Sequence, residues 1–168
     1  ACSRNGKDGS TFISKKKEDK KGRDLGFVGE IEKVDITLIK TLMDADFIPV
    51  ISPIGTDSDG NTYNINADYA ASSVAGALNA QKLVFMTDVD GIMKDKDEPE
   101  SLIKKLSESE AISLIESGVI SGGMIPKTEC CLDALKKGVK SVHVLDGRIP
   151  HSILLEIFTE EGIGTMLL

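Results

Sequence analysis

The stretch Leu83-Val84-Phe85-Met86-Thr87-Asp88-Val89-Asp90-Gly91-Ile92 decides the fold. Its first four residues are apolar and include β-branched and aromatic types, the text of a buried strand. The strand ends in the polar turn Asp88-Val89-Asp90-Gly91. On its N-terminal side, Ala67 to Ala80 predicts an alanine-dense helix with the stripe Ala71, Val74, Ala75 and Leu78. Small residues of that kind let a helix lie close to a sheet.

The same alternation continues outward in both directions. Ser107 and Glu110 form a capping box for a helix that Gly118 ends. Pro126 to Lys137 predicts another helix, stopped by Gly138, and Ser141 to Leu145 a further strand. Ile153 to Phe158 is helical text, and Gly164 to Leu168 a terminal strand. Upstream, Asp35 caps a helix reaching about Asp46, and Phe47 to Ser52 is a strand whose Pro49 marks a start or an edge. Strands separated by helices predict an α/β fold: a three-layer αβα arrangement with a mostly parallel open sheet. Such sheets hold ligands at the C-terminal ends of their strands.

The first third reads differently. Gly6 to Gly9 is a turn, and Thr11-Phe12-Ile13 and Gly26 to Ile31 are extended segments that predict a β-hairpin near the N-terminus. Lys15 to Asp24 carries six cations and three acids and reads as a solvated loop. Pro53 to Thr62 reads as a turn-rich loop. No repeat or linker divides residues 1–168, so a single domain is expected.

Composition excludes several classes. The 168 residues are 40% hydrophobic and 28% charged, an ordinary globular balance. No run approaches the ~20 apolar residues of a membrane span. A net charge of -7 argues against nucleic-acid binding while leaving room for a local anion site. The three cysteines, Cys2, Cys130 and Cys131, have no metal-ligand spacing and read as packing residues of a reducing compartment, the cytoplasm.

Phosphate-loop, dinucleotide, protein-kinase and nucleophile-elbow signatures are all absent. Three constellations remain. In Ser121-Gly122-Gly123-Met124-Ile125-Pro126-Lys127, two glycines precede a helix whose first turn holds a lysine. A cation there opposes the helix dipole by ~0.3–1 kcal/mol. A bound phosphate would offset that cost; a tight turn followed by a solvated lysine is the other reading. In Asn64-Ile65-Asn66-Ala67-Asp68, Asn66 suits a helix cap and Asp68 its first turn, while Asn64 and Asn66 share one side of an extended segment and could bind a substrate. The third is the Thr87–Ile92 turn at a strand end.

In this order the three constellations resemble the amino-acid kinase family, and within it the branch that phosphorylates N-acetyl-L-glutamate. Asn64 to Ala71 and Gly122 to Lys127 resemble the most specific motifs of that branch. Asp24 to Val34 is similar to its central hairpin, and His151 to Phe158 with Glu161 to Thr165 to its C-terminus. The resemblance implies ATP-dependent phosphorylation of the side-chain carboxylate of N-acetyl-L-glutamate, in arginine biosynthesis. It implies Lys127 on the transferring phosphoryl group, Asp68 orienting catalytic lysines, and Asn64 and Asn66 on the substrate. Thr87, Asp88, Val89, Asp90, Gly91 and Ile92 would line the ATP site with Val119, Ile120, Ser121, Gly122, Gly123 and Met124. Magnesium would ride on the phosphates, with no metal held by side chains alone. Glutamate 5-kinase, aspartate kinase and a non-catalytic nucleotide module are the competing expectations. The family's N-terminal half, with its glycine-rich phosphate loop and second catalytic lysine, has no match here. The chain is therefore expected to be the C-terminal, ATP-binding half, with weak nucleotide binding and negligible turnover alone. The full-length enzyme is expected to be a homo-oligomer.

Overall fold

A computed structural model describes residues 1–19, 21, 23–95 and 98–168. The chain forms two compact units, Ala1–Leu78 and Asn79–Leu168. Both mix helices with parallel strand pairs, as an α/β fold requires.

In the first unit, β1 (Cys2–Asn5) pairs in parallel with β4 (Pro49–Ser52), Cys2 opposite Pro49 and Asn5 opposite Ser52. Between them run β2 (Phe12–Glu18), β3 (Asp24–Val34) and α1 (Thr37–Asp44). After them come β5 (Ile54–Thr56), β6 (Thr62–Asn64) and α2 (Ala67–Ala77). The expected hairpin is β2–β3, but it does not stand alone: β2, β3, β6 and β5 close into a barrel. Phe12, Tyr63, Ile65 and Ala70 are buried together, with Ile31, Val34, Ile51 and Val74 packed around them. The close fit explains glycine at a strand position: a Cβ on Gly29 would lie 2.5 Å from the Cβ of Tyr63. Helix α2 buries Ala70, Ser72, Ala75 and Gly76, a face that shares only Ala75 with the predicted stripe.

Two expected loops are in part strand. The charged run forms the far ends of β2 and β3, where Lys15 pairs with Glu30 at 2.9 Å and Lys16 with Asp24 at 2.8 Å. Lys15, Lys16, Lys17, Glu18 and Asp24 are strand residues, and Asp19, Lys21 and Arg23 lie between the two strands; Lys20 and Gly22 lie outside the described residues. Pro53 to Thr62 contains β5 and a tight turn into β6. Asp57 organises that turn, accepting from the Asp59 and Asn61 amides at 3.0 and 2.9 Å. Its other oxygen accepts from the Asn61 side chain at 2.9 Å and the Tyr63 hydroxyl at 2.7 Å.

In the second unit, β7 (Lys82–Thr87) and β9 (Ser141–Asp146) are parallel and in register from Lys82–Ser141 to Thr87–Asp146. β8 (Lys105–Leu106) and β10 (Thr165–Leu167) complete a sheet of order β7-β9-β10-β8, with β10 parallel to β8 and antiparallel to β9. β9 is the strand buried along its whole length. β7 is the outer strand and only half-buried, with Met86 exposed, so the run that announced the sheet is not its centre.

Burying β9 throughout leaves polar side chains in the core, and each is satisfied. The His143 Nδ1 lies 2.7 Å from Glu156 Oε1 and its Nε2 3.2 Å from the Ser141 hydroxyl. Glu156, on α5 (Ser152–Phe158), also accepts the Ile163 and Gly164 amides at 2.8 Å each. Burial pushes the Glu156 carboxyl up, but the His143 ring and these two amides outweigh it and hold it below its ordinary value. The capping box is present on α3 (Glu108–Glu116), with the Glu110 carboxylate accepting the Ser107 amide at 2.8 Å. Helix α4 spans Met124–Lys136 and starts two residues before the predicted Pro126, because proline lacks only a donor that the first turn does not use. Among the described residues, no helix is long and apolar enough to cross a membrane.

The Asp57 carboxyl is lowered to about 2 by hydrogen bonds from Asn61 and Tyr63. A lowered folded pKa stabilises fully above the ordinary value of 3.8, and this contribution is lost as pH falls from there through about 2. Tyr63→Phe should therefore raise the Asp57 pKa toward 3.8 in a carbon-detected NMR titration and move the acid-unfolding midpoint to higher pH.

Candidate active site

Two glycines with different geometries open the route into the site. Gly122 has a φ of +57°, a conformation that favours glycine. Gly123 caps α4 at φ −67°, which any residue adopts, and a Cβ there would meet nothing within 4 Å. Neither backbone nor packing demands glycine at 123; what its absent side chain leaves is open approach to the backbone.

That approach leads into a cleft of about 660 Å³ in the second unit, within the usual range for small-molecule sites. Thr87, Asp88, Val89, Gly91 and Ile92 line one side. Val119, Ile120, Ser121, Gly123, Met124 and Lys127 line another. Segments about thirty positions apart in the chain are thus brought to one place, at the C-terminal end of β7. Asp90 and Gly122 flank the cleft without lining it. Met93, Lys94, Asp95 and Gly118 also line it and were missed from sequence. The signal for the first three is structural: Met93 bridges to Leu102, and Lys94 donates its amide to the Ser101 carbonyl at 3.0 Å, folding that segment over the cleft.

Lys127 is half-buried in the first turns of α4, with its ammonium 5.4 Å from the centroid of the buried Phe85 ring. A cation over an aromatic face is held by ~0.5–1 kcal/mol or more, which fixes the charge at the strand end. The amide donors ahead of it are less available than expected. Met124 and Ile125 donate to the Ser121 and Gly122 carbonyls at 3.2 and 3.3 Å, and Pro126 has no N–H. The cationic side chain, more than the helix N-terminus, is what this site offers an anion.

Asp88 of the cleft lining lies near an ion pair at the end of β9. Arg148 grips Asp146 with Nε at 3.0 and 3.1 Å and Nη2 at 2.8 Å. That pairing raises the Arg148 pKa, with smaller contributions from Asp88 and Asp90, and holds Asp146 below the ordinary carboxylate range. The Gly147 amide donates to the Thr87 carbonyl at 2.8 Å, joining the ends of β7 and β9.

The remaining predicted residues lie in the first unit. Tyr63 and Ile65 point into the barrel core while Asn64 and Asn66 are exposed, so the two asparagines share the outer side as expected. Asn66 caps α2, its Oδ1 accepting the Asp68 and Tyr69 amides at 3.0 and 3.2 Å. Its carbonyl oxygen is committed to the helix, and only its amide NH2 group is left to offer a ligand. Asp68 is half-buried in the first turn. Among the described residues, no group of three or more His, Cys, Asp or Glu could hold a metal.

The mixed α/β fold with parallel strand pairs matches structures of the amino-acid kinase fold. The family model "Amino acid kinase family" matches residues 2–146, and the chain belongs to that family. It is 54% identical to the acetylglutamate kinase of Methanococcus aeolicus and 56% identical to that of Pelotomaculum thermopropionicum, in each case over 96% of this chain and 58% of the relative. The chain thus spans less than two thirds of these curated relatives. The crystal structure of N-acetylglutamate synthase from Neisseria gonorrhoeae matches 99% of this chain and 37% of its own, with a TM-score of 0.85 at 33% identity. Carbamate kinase from Giardia lamblia matches at 0.67 and 19% identity over 94% of this chain and 52% of its own, a likeness of fold alone.

Three substitutions at two positions separate structural from ligand-facing roles. Asn66→Ala should lower stability by about 1 kcal/mol through loss of the cap, and Asn66→Asp should retain it, both read by denaturant unfolding. Gly123→Ala should change stability by no more than about 0.5 kcal/mol while weakening binding of a non-hydrolysable ATP analogue in calorimetry.

Proposed function

We propose that this chain is the nucleotide-binding part of an acetylglutamate kinase, transferring the γ-phosphoryl group of ATP to the side-chain carboxylate of N-acetyl-L-glutamate. The products would be an acyl phosphate and ADP. The substrate assignment is carried by the 54–56% identity to acetylglutamate kinases. The chemical assignment is carried by Lys127, held over Phe85 at the edge of an open cleft.

The residues suit the reaction. Phosphoryl transfer needs positioning and charge stabilisation rather than a covalent intermediate. In this reading, Lys127 meets the negative charge on the transferring group, and the open backbone at Gly123 admits the phosphates. Asp88 in the cleft lining suits hydrogen-bond donors such as ribose hydroxyls. Mg2+ would enter on the phosphates. Asn64 and the Asn66 amide would take the acetylated amino acid, and Asp68 would orient catalytic lysines.

A second reading is a nucleotide-binding module without catalysis. The synthase likeness motivates it, since the matched stretch is 37% of a protein with a different name. The two readings part at the chemical step.

Calorimetry with the ATP analogue should show weak binding to the chain. Lys127→Ala should reduce affinity by roughly ten- to a hundredfold, the worth of one charge-assisted hydrogen bond. Hydroxylamine trapping should detect acyl phosphate only when the chain is joined to the remaining portion of the Methanococcus aeolicus relative, with acetylglutamate preferred over glutamate and aspartate. Unchanged turnover of that fusion with Lys127→Ala would remove the role assigned to the lysine.

A further inference from the structure

The cleft wall at Gly91–Ile92 is held by a residue that does not line the cleft. Thr165, the first residue of β10, is fully buried, and its hydroxyl accepts the Ile92 amide at 2.8 Å. Ile92 itself is 1% exposed. The two residues are 73 positions apart in the chain, so this bond is a tertiary clamp rather than local turn geometry. Gly91 is shaped to the same contact. A Cβ there would fall 2.6 Å from the Thr165 hydroxyl oxygen and 3.1 Å from the Thr165 amide nitrogen, at a φ of +155°.

Thr165 is in turn fixed from behind. It pairs with Val144 of β9, and the adjacent Gly164 amide is gripped by the buried Glu156 carboxylate at 2.8 Å. On the far side of Ile92, its carbonyl accepts the Ile103 amide at 2.9 Å. The turn that carries Asp88 and Val89 into the cleft is therefore anchored at its end by the Thr165 hydroxyl on the Ile92 amide and by the Ile103 amide on the Ile92 carbonyl.

We propose that Thr165 is a positioning residue for nucleotide binding, its hydroxyl setting the Gly91–Ile92 turn that walls the cleft. The proposal rests on the nucleotide reading of that cleft. A serine would keep the hydroxyl and the clamp. A valine keeps the shape, removes the acceptor and leaves the Ile92 amide buried without it.

The test uses the whole chain and three proteins: unsubstituted, Thr165→Val and Thr165→Ser. Calorimetry with the non-hydrolysable ATP analogue, well below the melting temperature, reads the cleft. Amide hydrogen exchange at Ile92 reads the clamp without any nucleotide. Thr165→Val should weaken nucleotide binding by roughly five- to tenfold, the factor one hydrogen bond supplies, and accelerate Ile92 exchange. Thr165→Ser should restore both. Unchanged affinity and unchanged Ile92 exchange in folded Thr165→Val overturn the proposal, as does accelerated exchange with affinity intact. If the unsubstituted chain binds no nucleotide, the nucleotide reading falls and the role in affinity falls with it. The exchange rate then decides separately whether the clamp exists. Gly91→Ala should reproduce the Thr165→Val pattern, because its methyl group cannot share space with that hydroxyl.

Discussion

The second unit depends on one buried carboxylate. Glu156 reaches from α5 to the ring of His143 on β9 and takes two successive backbone amides, of Ile163 and Gly164. A charge in that position is costly unless every lone pair has a partner. Here three donors converge, and together they hold α5, β9 and the approach to β10 in one register. Removing the carboxylate would leave two amides and an imidazole buried without their acceptor, a larger loss than that of any apolar contact nearby.

From that anchor the geometry of the cleft follows in order. β10 is placed against β9, its first residue meets the strand-end turn after β7, and that turn becomes one wall. The other wall comes from the segment between α3 and α4 and from the first turns of α4, where Lys127 settles over Phe85. The charged groups fall in two places: an ammonium near the start of α4, and Asp88, Asp90 and Asp146 around Arg148 at the strand ends.

Much of this was legible in the residues. The capping box at Ser107 and Glu110 and the cap at Asn66 were read from residue type and spacing, because capping is local chemistry. The cleft was half legible, since Lys127 and the Thr87–Ile92 turn sit where open α/β sheets bind ligands. What failed was whatever depends on distant pairing. β5 has three residues, too few to carry a period, and becomes a strand only because β2 and β6 flank it. The run from Lys15 looked like solvated loop because the strand pairing that sets Lys15 beside Glu30 and Lys16 beside Asp24 is not visible in a count of charges. The antiparallel placement of β10 is likewise set by residues outside its own segment, and that of Met93 to Asp95 by Ser101 and Leu102 a few positions on.

The adjacent thiols of Cys130 and Cys131 are 1% and 0% exposed, on the same helix that carries Lys127. Cys2 is only partly covered. Buried thiols react with alkylating reagents only through opening of the segment that hides them, at a rate set by the free energy of that opening. The protein thus contains its own reporter. Modification at 130 and 131, timed against modification at 2, measures how often the lysine-bearing helix detaches from the sheet, and a ligand bridging helix and strand end would slow that clock.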